Sequence, residues 1–190
     1  MTDFIQELSK CRAYGTPVPF RPAAVRGYTE QEIERISRRY NLNIHGQFRQ
    51  LLLQMGRCSG GLVWSDEITL YDHRWQPRLF RQYQAAESQA IRDDAAIQTG
   101  YLKSGIHPIT HKFFPWRFRN DRAAAYCLVT EERDDYLWHQ YDDGFTIKKT
   151  AFTLLEDLRH TVEAVTKRAL GLGYGYTEED FKLFTTGRLL

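Results

Sequence analysis

The sequence predicts an α+β fold in which helices pack on a mostly antiparallel sheet. Three observations predict it. Capping-box helix starts stand at Thr29 and Thr153, each followed by an apolar stripe at helical spacing. Two strand-like apolar runs occupy Ala125–Val129 and Tyr136–Tyr141. An Asp142-Asp143-Gly144 turn then joins the second run to a third short strand.

Taken in order, Phe4, Ile5 and Leu8 give residues 3–12 a weak helical pattern. From Tyr14 to Pro22 the chain must be an extended connector, because its prolines exclude helix. In Thr29-Glu30-Gln31-Glu32 the threonine hydroxyl and the Glu32 carboxylate can satisfy backbone amides that a helix start leaves unpaired. Ile33, Ile36 and Tyr40 follow on one face. A second helix presents Phe48, Leu51, Leu52 and Met55, and Gly56 stands where a left-handed terminating residue is wanted.

Strand character is expected at Leu62–Trp64 and again at Ile68–Tyr71. A helix is expected from Pro77 to about Ile97, with Leu79, Tyr83, Ala86, Ala90 and Ile91 on one face and Gly100 ending it. The final major helix buries Leu155, Leu158, Val162 and Val165, and Thr177–Asp180 caps a short terminal helix carrying Phe181 and Phe184.

The hairpin admits a closer reading. If Asp142-Asp143-Gly144 is a three-residue connection with Gly144 left-handed, Tyr141 pairs with Phe145 and His139 with Ile147. Leu137, His139, Tyr141, Phe145 and Ile147 then share one face, which makes His139 a core histidine. Trp138, Gln140, Thr146 and Lys148 share the other, and Trp138 is expected to be exposed.

Composition narrows the function classes. A chain of 190 residues suits one domain and buries about 70% of its unfolded surface on folding. Cys11, Cys58 and Cys127 have neither paired nor metal-ligand spacing, which favours a reducing cytoplasm. The first residues do not read as a signal peptide, and no run approaches a membrane span. A net charge of +2 is too mild to imply nucleic acid or a membrane surface. Its distribution is uneven: arginines fill the first third, whereas Glu131, Glu132, Asp134, Asp135, Asp142 and Asp143 crowd one later region.

Candidate enzyme sites are thin. His107 and His111 are four apart, but Pro108 lies between them and no third ligand is near. Asp72-His73 could orient an imidazole, yet no nucleophile follows. Gly171–Tyr176 has a glycine-rich look but follows a helix, where a phosphate loop follows a strand. No catalytic residue, cofactor or metal is therefore expected. The acidic stretch has a plain explanation as a solvated turn. It has a functional one as a partner-binding surface, in which Glu131, Glu132, Asp134, Asp135, Asp142 and Asp143 steer a basic partner while Tyr136 and Trp138 supply buried contact.

The element order resembles the SUKH superfamily in its SMI/KNR-type branch. The residues that carry the resemblance are Thr29, Glu32 and Ile33; Phe48, Leu51, Leu52 and Gly56; Phe113-Phe114-Pro115; Tyr126 and Leu128; the Tyr141–Gly144 turn; and Ala151-Phe152-Thr153-Leu154-Leu155. Two positions depart from the family pattern. Ile44-His45-Gly46 stands where a Leu-Pro pair is usual, and Met55-Gly56-Arg57-Cys58 stands where Asn-Gly-Gly is usual.

The resemblance implies a SUKH-like α+β domain over residues 28–170, preceded by a helix and connector over 1–27 and followed by an extension over 171–190. It implies a cytoplasmic immunity protein, not an enzyme, that neutralises a cognate bacterial polymorphic toxin, such as a nuclease, by stoichiometric binding. The partner is a protein, with no direct nucleic acid and no membrane. Alternatives are a regulatory scaffold of the same fold and a small hydrolase.

Overall fold

The computed structural model describes residues 2–13, 16–17, 20–64, 68–74, 77–106, 111–118, 124–140, 147–171 and 177–190. Its class is α+β, with helices α1 (Phe4–Ser9), α2 (Glu30–Tyr40), α3 (Gly46–Met55), α4 (Pro77–Asp93), α5 (Ala95–Ser104), α6 (Leu154–Gly171) and α7 (Glu178–Thr185). Strands β1 (Arg12–Ala13) and β2 (Thr16–Pro17) form a small hairpin. Strands β3 (Phe113–Phe118), β4 (Ala124–Val129), β5 (Tyr136–Gln140) and β6 (Ile147–Thr153) form an antiparallel sheet in chain order.

The helix starts form as their sequences dictate. At α2 the Thr29 hydroxyl accepts from the Glu32 amide at 3.3 Å and the Glu32 carboxylate accepts from the Thr29 amide at 2.9 Å. Reciprocal boxes open α6, through Thr153 and Glu156, and α7, through Thr177 and Asp180. Asn41, at φ +53°, ends α2 in the left-handed region that a short polar side chain tolerates. Gly56 is not left-handed as expected, since its φ is −62°. Its reason for being glycine is packing: a Cβ there would stand 2.6 Å from the Tyr28 ring and 2.7 Å from the Leu52 carbonyl oxygen.

One large core joins α1, α2, α3 and α6 to one face of the sheet. Phe4, Leu8, Ile33, Ile36, Phe48, Leu51, Leu52, Leu154, Leu158 and Val162 pack there against Phe114, Trp116, Leu128 and Leu137. Each such side chain, fully buried, contributes about 1.5–3 kcal/mol over leaving it exposed. Gln54 fastens α1 to α3, accepting from the Phe4 amide and donating to the Thr2 carbonyl, both at 2.8 Å. The side chains of Leu79, Tyr83, Ala86, Ala90, Ile91 and Val165 lie outside the described set.

Expected strands at 62–64 and 68–71 are absent among the described residues. Leu62, Val63, Trp64, Ile68, Leu70 and Tyr71 are buried instead as irregular chain. Their polar groups bond to neighbouring elements: the Thr69 amide donates to the Trp116 carbonyl at 3.0 Å, its hydroxyl to the Pro115 carbonyl at 2.6 Å, and the Tyr71 hydroxyl to the Met55 carbonyl at 2.9 Å. This segment covers the outer edge of β3, with Ile68 bridged to Arg117. Phe113–Trp116, read in the sequence as a run leading to the sheet, is itself strand. An edge position tolerates Pro115, which has no amide to donate. The single helix expected from Pro77 is two helices broken at Asp94, and Gly100 lies inside the second.

The β5–β6 register differs by one residue from expectation. Gln140, not His139, opposes Ile147, and His139 opposes Lys148. Ile147 therefore joins Ile106, Phe113, Cys127 and Val129 in a small second core on the opposite sheet face, with Trp138 packed against it. Trp138 is half-buried rather than exposed. Leu137 does face the main core, and His139 shares its parity, half-buried against the Tyr126 ring at 4.8 Å. Extra β6 residues near Thr150 shift the register again between Trp138 and Tyr136, where the Thr150 hydroxyl donates to the Leu137 carbonyl at 2.8 Å. Tyr141, Asp142, Asp143, Gly144 and Phe145 lie outside the described residues.

The C-terminal segment enters the main core. Leu189 is fully buried, its carbonyl accepting from the Tyr40 hydroxyl and its amide donating to the Tyr28 hydroxyl, both at 3.2 Å. Burial pushes the Tyr28 phenol up to about 12. Phe181 stands edge-on to Trp64 at 5.7 Å and beneath the Arg21 guanidinium at 4.2 Å.

Candidate protein-interaction site

Residues 130–135 connect β4 to β5 and run into Tyr136, and most fixed points of this loop come from the scaffold. Thr130 is the first anchor: its amide donates to the Lys112 carbonyl at 2.8 Å, its hydroxyl accepts from the Asn43 amide at 3.0 Å, and its carbonyl lies 3.2 Å from His45 Nε2. The Glu132 amide closes a turn on the Val129 carbonyl at 3.1 Å. Asp134 then turns the chain, accepting at Oδ1 from the Tyr136 amide at 3.2 Å.

Asp135 holds the loop to two helices. Its Oδ1 accepts from the Gln47 amide at 2.6 Å, and its carbonyl accepts from the Leu154 amide at 2.9 Å. The first bond serves α3, whose own N-cap residue, His45, makes no side-chain cap bond. Gly46 permits the approach, because a Cβ there would stand 2.1 Å from that carboxylate oxygen, and its φ of +53° suits glycine.

Lys149 sets the electrostatics. Its ammonium donates to Asp134 at 2.7 Å and to Glu132 at 3.0 Å, and it stands 5.2 Å from the centre of the Trp138 ring. The bond to Asp134 is the chief reason the Lys149 pKa is raised, with Glu132 adding to it. Two of the four carboxylates in the loop are thus locally paired, while Glu131 is exposed, as is Arg133. Tyr136 projects with 40% of its surface accessible, one of two large apolar side chains so exposed among the described residues.

Of the sequence-predicted site, Glu131, Glu132, Asp134, Asp135 and Tyr136 lie together in this loop; Trp138 follows in β5, and Asp142 and Asp143 lie outside the described residues. Sequence reasoning missed Lys149 and His45. The signal for Lys149 was its place opposite Trp138 in the true register, and His45 could only be found through the fold.

The other candidates are described only in part. Asp72 Oδ1 accepts from the Arg74 amide and Nε, both at 2.9 Å, and His73 Nδ1 is 4.0 Å away, beyond hydrogen-bond reach. His107 lies outside the described residues, as do 172–176 of the glycine-rich segment. Among the described residues no group of three or more His, Cys, Asp or Glu could hold a metal ion, and no helix is long and apolar enough to cross a membrane. Burial pushes the Cys127 thiol well up and the Cys11 thiol up, which disfavours the reactive thiolate.

Comparison with known proteins gave no match to a family model, a curated protein or a solved structure.

Proposed function

We propose that this chain is a SUKH-like immunity protein that binds and neutralises a cognate bacterial toxin in the cytoplasm. The observation that carries the reading is the coincidence of an exposed tyrosine with exposed carboxylates on a loop held from several sides. Tyr136, Glu131 and Asp134 stand outward, while Asp135, Thr130 and Lys149 fix the backbone and charges behind them. A preorganised loop loses little entropy on binding, an aromatic supplies contact area, and carboxylates steer a basic partner. The resemblance of Thr29–Gly56 and Phe113–Leu155 to the SMI/KNR-type branch adds the partner class.

Within this reading Asp135 supports the surface and Trp138 backs it, while Glu131, Glu132, Asp134 and Tyr136 form the contact. Co-expression with the toxin encoded beside its gene is expected to rescue growth and to yield a co-purifying complex. Failure of both sinks the proposal.

A further inference from the structure

We draw no further inference here: the strongest candidate, the surface patch of Arg35, Arg38 and Arg39 along the exposed face of α2, carries nothing because no feature of the described residues shows what covers it.

Discussion

Asp135 caps a helix that begins far from it in sequence: its Oδ1 accepts from the Gln47 amide, 88 residues away, at 2.6 Å. A carboxylate at a helix N-terminus satisfies an orphan amide and opposes the positive end of the helix dipole. Asp135→Ala is expected to lower stability by about 1–2 kcal/mol, with Asp135→Asn losing less. Urea unfolding measures both. An unchanged midpoint in the alanine variant would return Asp135 to the partner-facing set.

A buried carboxylate joins α6 to β3. Asp157 Oδ2 accepts from Trp116 Nε1 at 2.9 Å, and both its oxygens accept from the Arg117 guanidinium, at 2.9 and 2.8 Å. Removing the acid strands a cation whose side chain is only 18% exposed. Asp157→Ala is expected to cost about 3–5 kcal/mol, and the double change with Arg117→Met less than the sum. Additive losses in the double-mutant cycle would show that the pair is not coupled.

The α2 capping box makes a pH prediction. Its hydrogen bond to Arg57, then the one from the Thr29 amide, pulls the Glu32 pKa from 4.5 to about 2. The folded value is depressed, so the contribution is complete above about 4.5 and fades as pH falls toward about 2. The stability gap between the parent chain and Glu32→Gln should therefore shrink across that window. A gap independent of pH there contradicts the assignment.

Gly187 crosses Gly56 too closely for a side chain, since a Cβ would lie 1.7 Å from the Gly56 carbonyl oxygen. Gly187→Ala must move the backbone that carries Leu189 into the core. A loss of about 1–3 kcal/mol or more is expected by thermal or urea unfolding. A neutral substitution would mean that the C-terminal segment is not held there.

What the sequence made legible was local. Thr29 with Glu32, Thr153 with Glu156, and Thr177 with Asp180 are three residues apart, and all three boxes form. The misses have non-local causes. The β5–β6 ladder takes up extra β6 residues between Trp138 and Tyr136 that no alternation pattern reveals. Leu62–Trp64 and Ile68–Tyr71 have strand composition, but their partners are the edge of β3, the end of α3 and the C-terminal segment. The loop was legible as acidic and aromatic, whereas the division of labour within it was not. That division rests on Gln47 reaching Asp135 and Lys149 reaching Asp134.

Charge steering at the loop can be separated from folding. Glu131 is exposed, so Glu131→Lys should leave thermal stability within about 0.5 kcal/mol. Association with the toxin should slow about tenfold at low salt and by less at high salt. An unchanged rate and salt dependence would move the contact elsewhere.

Growth rescue tests the central claim most directly, with the parent chain and the Glu131→Lys, Tyr136→Ala variant each co-expressed with the toxin encoded beside the gene. The parent is predicted to restore growth, and the variant, folded to the same melting temperature, to restore it poorly. No rescue by the parent contradicts the immunity role, and equal rescue by both contradicts the loop as the binding surface.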